Sequence, residues 1–526
     1  MSIDITFCGA TQTVTGSCYA ITTSSSRFLI DCGLFQGSKT LKELNYKPFP
    51  FHPRDIDFVL LTHAHIDHSG LLPRLIKEGF KGPIYTSAGT VDLCSFMLPD
   101  SGHIQEMEVQ SLNRRNQRMG RKNVDPIYTA QDAIRTLDQF KAIDLNHWFN
   151  PSHDIRVRLW NAGHILGSAS LELEIAQDDK PLRLMFSGDI GSDELLLEKR
   201  ADAAQGFDYV ICESTYGATI RTKTSQEQRR AHLAHIIHDA KAKGGALLIP
   251  AFAVERTQEL LTDLTTLAAE GAIEHVPIFL DSPLAIKVTD VFSKHASDLL
   301  SDKAFDQAVH SDLVHICESV EESRNIEKVH GFHIIISASG MCDAGRIRHH
   351  LRHWLWSPKA TVLLVGYQAQ GTLGRILRDG AQSVRIFGDE IKVHATIKEL
   401  DDYSGHADQE QLTSWIQARA PVTGALFLTH GEDQTMALFA KSLQSSGFDK
   451  PIITPEMDDH YQLNATTFKQ IDATSSKRLS NTQLGYHDWH NDFSKLLLDM
   501  RDALDKKADD KSRATLIRSL RRALEQ

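Results

Sequence analysis

The chain has 526 residues, enough for about three or four domains and for a large core that needs no disulfides. With 57 basic and 68 acidic side chains its net charge is −11. That excludes a protein gripping nucleic acid by bulk positive charge, but leaves room for a locally basic groove. No apolar run of about 18 residues occurs, so no membrane span is expected. The opening MSIDITFCGA lacks a basic-then-apolar leader pattern, so no secretory signal is expected. Seven cysteines without a C-x-x-C pair read as the reduced thiols of a cytoplasmic protein.

In chain order, short β-rich runs come first: Ile3–Phe7, Tyr19–Thr22, Phe28–Ile30 and Phe58–Leu61. From Ser69 the pattern turns helical, with Leu71, Leu72, Leu75 and Ile76 on one face and Gly79 as the stop. Residues 101–145 are polar with helical spacing and no clean strand, and predict a helical excursion. Strands resume at Ile155–Trp160, Leu171–Ile175, Arg183–Phe186 and Tyr209–Cys212. After Gly217, the apolar runs Ala246–Ile249, Ile278–Leu280, Ile334–Ile336 and Val362–Val365 alternate with helix-like segments such as Glu255–Ala268. This β–α alternation predicts a parallel-sheet domain. Short strands return near Ile391 and end in Ala425–Thr429, so one domain is inserted into another. The expected divisions are 1–214, 215–392 for the insert, 393–470 for the return, and 471–526 as a helical extension. That extension holds an amphipathic stretch, Phe493–Leu504, and a charged helix, Lys511–Leu524.

The sharpest chemical signal is Thr62-His63-Ala64-His65-Ile66-Asp67-His68, between an apolar strand and a helix. Imidazole and carboxylate are the ligands that a borderline divalent ion such as zinc prefers. On such a turn His63 and His65 can converge on one ion while Asp67 and His68 face another. His164, in a Gly-bounded turn, and Asp189, at a strand end, are weak signals alone and gain weight from this run. A carboxylate can bridge two cations about 3.5–4 Å apart, the separation that two-metal hydrolysis uses. Cys32, Cys212 and Cys342 read as small core residues, and His349, His350 and His353 as surface residues on a helix.

The HxHxDH run, His164 and Asp189, in that order, resemble the metallo-β-lactamase superfamily, and Asp31 in Leu29-Ile30-Asp31 matches that pattern's early Asp. Glu213 in Glu213-Ser214-Thr215-Tyr216-Gly217, His406 in Ser404-Gly405-His406-Ala407-Asp408, and His430 in Thr429-His430-Gly431 resemble motifs A, B and C of the β-CASP nucleases. The resemblance covers about residues 1–460. It implies an α/β fold: an αββα sandwich with an inserted β-CASP α/β domain, here followed by a short helical tail. It also implies a dinuclear site in which His63, His65, His164 and Asp189 hold one metal, and Asp67, His68, His430 and the shared Asp189 the other. Two zinc ions are expected, with manganese as the alternative. Asp31 would orient ligands, Asp67 would also belong to the catalytic set, and His406 would act as general acid with Glu213 fixing its tautomer.

Hydroxyls and N–H groups at Ser337, Ser339 and Gly340, ahead of a helix, are expected to bind phosphate, as are Ser404 and Gly405. The expected activity is zinc-dependent hydrolysis of RNA, in a groove between the domains. His at motif C resembles RNA-directed members; DNA-directed ones carry an apolar residue there. The tail of roughly 50 residues is shorter than the C-terminal domain of ribonuclease J, which leans toward endonuclease. A DNA nuclease of the same fold, a 5′ exoribonuclease and a small-molecule hydrolase stand as alternatives. No membrane partner is expected, and a homodimer is left open.

Overall fold

The computed structural model describes residues 3–177, 180–369, 371–465, 467–471, 477–479, 500, 503–504, 506–507 and 509–524. Most of the stretch expected at 493–504 lies outside them. Two sheets face each other. The first has eight strands in the order Phe468–Ile471, His460–Leu463, Ile3–Phe7, Tyr19–Thr22, Arg27–Ile30, Phe58–Leu60, Ile84–Thr86 and Phe140–Ala142. The second has seven: Ile452–Ile453, Val422–Thr429, Phe207–Glu213, Leu182–Phe186, Ala169–Ile175, Ile155–Asn161 and Trp148–Ser152. Alternate side chains of both point inward, so Phe7, Phe28, Leu171, Phe186, Tyr209 and Phe427 share one buried core. Helices cover both outer faces. Leu72, Leu75, Leu93 and Leu98 close the first, and Leu412, Ile416, Met436 and Phe439 the second.

A third sheet is wholly parallel, in the order Val314–Ile316, Ile278–Leu280, His333–Ser337, Ala246–Pro250, Thr361–Leu364 and Thr396–Glu399. Its inner strands are buried on both faces, as parallel strands flanked by helices must be. Thr396–Glu399 pairs with Thr361–Leu364, so this sheet extends past residue 392, where the sequence ended the insert.

Two further expectations change. The excursion of 101–145 begins earlier, as one helix from Ala88 to Arg118, capped by the Ser87 hydroxyl. It also contains an edge strand, Phe140–Ala142, whose three residues are too few to show alternation. The charged end is helical over Asp510–Leu524. No helix among the described residues is long and apolar enough to cross a membrane.

Six of the strands that matter for chemistry run the same way and end at one edge of the sandwich. Arg27–Ile30 delivers Asp31, Phe58–Leu60 the His63–His68 turn, Ile155–Asn161 the His164 turn, Leu182–Phe186 Asp189, Phe207–Glu213 its own last residue, and Val422–Thr429 His430. The core is what holds those ends in register. Phe427 is fully buried, with ring centroids 5.2 Å from both Phe7 and Tyr461. Phe427→Ala should lower stability by about 3–5 kcal/mol, read as a lower denaturant midpoint; an unchanged midpoint would mean that the two sheets are not locked through this ring.

Candidate metal centre and active site

The turn after Leu60 folds so that His63 and His68 are buried and His65 and Asp67 half-buried. His63 Nε2 lies 3.1 Å from His65 Nδ1, and His65 Nδ1 lies 3.1 Å from His164 Nε2. Asp189 Oδ2 is 3.6 Å from His63 Nε2 and 3.7 Å from His164 Nε2. On the other side of the same carboxylate, Oδ1 is 3.3 Å from His68 Nε2. His68 Nε2 is 3.3 Å from His430 Nε2, which is 3.5 Å from Asp67 Oδ2. The seven residues thus form two groups, His63–His65–His164–Asp189 and Asp67–His68–His430, with Asp189 between them.

These spacings fit metal. A tetrahedral zinc with ligands at about 2.0–2.1 Å sets neighbouring donors about 3.3 Å apart, and the distances above bracket that value. Asp189 Oδ1 is buried and, among the described residues, has no hydrogen-bond partner, a costly state for a carboxylate oxygen unless a cation meets it.

In four of the five rings, His63, His68, His164 and His430, the second nitrogen explains the aim of the first. His63 Nδ1 bonds the Thr62 hydroxyl at 3.0 Å, and that hydroxyl donates to Asp31. His68 Nδ1 donates to Asp31 Oδ2 at 2.6 Å, His164 Nδ1 to the Gly405 carbonyl at 2.8 Å, and His430 Nδ1 meets the Thr215 hydroxyl at 3.0 Å. Each bond fixes a tautomer and leaves Nε2 as a lone pair facing the centre. The sequence anticipated Asp31 but not Thr62, Thr215 or the Gly405 carbonyl. Two were legible as hydroxyls beside a ligand motif; a backbone carbonyl carries no residue signal. Asp31 and His430 hold φ of +58° and +50°, local strain of the kind found where a site over-determines its backbone.

Burial, reinforced by neighbouring imidazoles, holds His63 and His164 well below the ordinary histidine value, and burial brings His65 down to about 4. All three are therefore neutral and able to donate lone pairs near pH 7. Burial opposes charge on His68 too, but the Asp189 and Asp31 carboxylates outweigh it and raise its pKa. Burial would likewise raise Asp189, yet His430 and His68 hold it well below the usual carboxylate range.

Beside this cluster, His406 Nδ1 is 3.0 Å from Glu213 Oε1. Glu213 also accepts the N–H of Ile190 at 2.8 Å and of Thr215 at 3.0 Å, so its carboxylate is fixed. His406 Nε2 faces inward, 4.0 Å from Asp189 Oδ2, and this ring is 17% exposed where the cluster's imidazoles at 63, 68, 164 and 430 are buried.

The residues expected to hold phosphate divide. Gly405 lies against the cluster: its carbonyl holds His164, and a Cβ there would meet Arg256 at 2.7 Å. Buried Ser404 adjoins the His406 backbone through its hydroxyl. The other three belong to a separate network. The Ser337 hydroxyl is buried and donates to the Asp281 carbonyl at 2.7 Å, and that of Ser339 stays within its own turn. Gly340 makes room for the Phe252 ring, 2.7 Å from a Cβ there. The following helix starts only at Ile347, so its free N–H groups are not theirs. Arg346 and His350 both engage the Asp281 carboxylate, at 2.7 and 2.6 Å. His350 is consequently buried, where the sequence reading put it on the surface. All seven cysteines are buried and free, as core residues should be.

A two-sheet sandwich with a histidine–aspartate cluster at one edge defines a metal-binding hydrolase. Comparisons with known proteins narrow the class. Residues 12–194 match the metallo-β-lactamase superfamily, 257–377 the Beta-Casp domain, and 390–455 the Zn-dependent metallo-hydrolase RNA specificity domain. Ribonuclease TTHA0252 of Thermus thermophilus is 31% identical over 450 residues, which span 84% of this chain and 95% of that protein. Transcription termination factor FttA of Methanothermobacter thermautotrophicus is 31% identical over 452 residues, spanning 84% of this chain and 68% of that one. Its namesake from Pyrococcus horikoshii is 31% identical over 460 residues, with the same two shares. The chain belongs to the β-CASP family of metallo-β-lactamase-type hydrolases.

Asp31 touches His68 and, through Thr62, His63, so it serves both groups. Asp31→Ala should weaken metal retention roughly 10–100-fold, measured by competition with a chromogenic chelator. Retention equal to wild type would mean that the imidazoles are oriented by packing alone.

Proposed function

We propose that this protein is a ribonuclease that hydrolyses RNA phosphodiester bonds within the chain, using two zinc ions. The observation that carries the reading is the pair of donor groups on either side of Asp189, with the His406–Glu213 pair alongside. The names of the relatives, a ribonuclease and transcription termination factors, support RNA as substrate. So does His430, the motif C residue of RNA-directed members, which argues against DNA. In this reading the chain divides near residues 214 and 400, the RNA lies in the groove between sandwich and insert, and the protein works in the cytoplasm.

His63, His65, His164 and Asp189 would hold one ion, and Asp67, His68, His430 and Asp189 the other. When bound, the ions supply Lewis acidity to the phosphate and make water nucleophilic near neutral pH. The remaining chemistry belongs to side chains. Hydrolysis forms a bond from water oxygen to phosphorus and breaks the bond to the leaving ribose oxygen, which departs as an alkoxide and needs a proton. With Nδ1–H held by Glu213, only His406 Nε2 faces the reacting centre, so the proton comes from there. Glu213 keeps the ring in that tautomer, and its two backbone N–H bonds keep it from swinging away.

His406→Ala leaves all seven proposed ligands in place. It should cut RNA cleavage by roughly 10²–10⁴-fold at unchanged metal content. It should harm bis-p-nitrophenyl phosphate hydrolysis far less, because a phenolate leaves without a proton. His430→Ala should lose metal and activity together. Equal loss of both activities in His406→Ala, with metal intact, would make His406 a substrate-positioning residue. Digestion of 5′-labelled and 3′-labelled RNA side by side should give labelled fragments of intermediate length from both labels. Mononucleotides released progressively from the 5′ end would instead make the enzyme an exonuclease.

A further inference from the structure

The helix Ala88–Arg118 begins beside the metal centre and ends far from it. At its start, the Ser87 and Thr90 hydroxyls donate to the Gly167 carbonyl, three residues past His164. At 1.5 Å per residue its far end lies about 40 Å along the axis from there. That end carries Arg114, Arg115 and Arg118, and the turn beyond adds Arg121 and Lys122. No acidic residue occurs between Glu108 and Asp125. All five cations are exposed, and among the described residues none has a hydrogen-bond or ion-pair partner for its side chain. Elsewhere many arginines are paired, as Arg74 is with Glu78, Arg158 with Glu172, Arg229 with Asp263 and Arg346 with Asp281. In a chain of net charge −11, a knob of unpaired cations on one helix end is therefore a local reversal of sign.

The knob is also built rather than loose. Asn113 clamps the returning strand of chain with both ends of its amide, donating to the Val124 carbonyl and accepting its N–H, each at 2.9 Å. Asn116 is buried, and its amide donates to the Lys122 carbonyl at 3.0 Å. Its own carbonyl accepts the N–H of Met119 and of Arg121. Two side chains in the middle of the basic run thus fix the backbone that carries it, so little ordering cost remains for a ligand. Residues 109–124 contain no aromatic ring, which disfavours base stacking and leaves the phosphate backbone as the feature to be recognised.

We propose that the Arg114–Lys122 knob is a second RNA contact, which holds the phosphate backbone of a long transcript some 40 Å from the site of cleavage and tethers it there without regard to sequence. The inference rests on the ribonuclease reading and adds a length requirement to it: a short oligonucleotide held at the metal centre cannot reach the knob, and a long one can.

The test replaces Arg114, Arg115 and Arg118 together by Gln in the full chain. The three exposed side chains make no polar contact with the described residues, so the fold should be kept, and unchanged hydrolysis of bis-p-nitrophenyl phosphate checks this. Binding is followed by fluorescence anisotropy with labelled single-stranded RNAs of about 40 and about 6 nucleotides across a salt series. Each phosphate contact contributes about 0.7 to the slope of log affinity against log salt for single strands. Loss of three contacts should therefore lower the slope for the long RNA by about 2 and make its binding at low salt at least tenfold weaker. The short RNA should bind the variant and the wild type alike. Arg→Lys at the same positions should restore the long-RNA affinity. An unchanged slope and affinity for the long RNA, in a wild-type protein that cleaves it, would overturn the knob and leave the ribonuclease reading standing; the cations would then serve an acidic protein partner. A wild type that neither binds nor cuts either RNA would overturn the ribonuclease reading itself.

Discussion

One carboxylate organises the reactive edge of this protein. Asp189 sits at the end of a central strand, 2% exposed, with imidazoles on both sides of it. A buried anion is expensive unless its charge is met. Here it is met by a constellation gathered from residues 63 to 430. His68 and His430 are drawn toward their charged forms by it, while His63, His65 and His164 are held neutral by burial. A pair of divalent cations in the proposed positions would meet the charge of the Asp189 carboxylate directly. It would also give the neutral rings the Lewis acid toward which their lone pairs point.

The rest of the fold keeps that constellation in place. Ligand-bearing turns emerge from parallel strand ends, so a shift in either sheet would move donors relative to each other. The inserted unit is tied to the same edge by polar contacts. The Tyr367 hydroxyl donates to Glu432, two residues past His430, at 2.7 Å. The Leu196 N–H donates to Glu259 at 2.7 Å. Tyr403, at the return from the insert, donates to buried Asp263 at 2.7 Å. Tyr403 lies two residues before Gly405 and three before His406, so its bond ties the packing of the insert to the residue proposed to deliver the proton.

How much was legible in the sequence depended on separation along the chain. His63 to His68 could be read as a metal turn because four donors crowded into six residues repel one another or sit idle unless a cation joins them. His164, Asp189 and His430 became readable only beside that turn, since a lone histidine or aspartate at a strand end has many ordinary uses. Where the partner was distant and polar, the reading failed. Ser337 looked free to bind phosphate because nothing nearby in sequence claimed its hydroxyl, yet the Asp281 carbonyl does. His350 looked like a surface residue because its helix is so polar, and the same aspartate draws it inside. The edge strands Phe140–Ala142 and Thr396–Glu399 escaped because a strand of three or four residues is specified by the neighbour it pairs with and not by its own pattern. The long helix was placed too late because Gly89, Pro99 and Gly102 break its local propensity; tertiary packing overrides them, and a Cβ on Gly102 would meet the backbone of Ala130 at 2.7 Å.

If Asp189 bridges two metal ions, one must lie on each side of its carboxylate. Anomalous diffraction at the zinc absorption edge, from crystals of protein purified without chelator, tests it most directly. Two peaks per chain are expected, one on each side of the Asp189 carboxylate and about 3.5–4 Å apart. A single peak, or two peaks of which one lies away from Asp189, would contradict it.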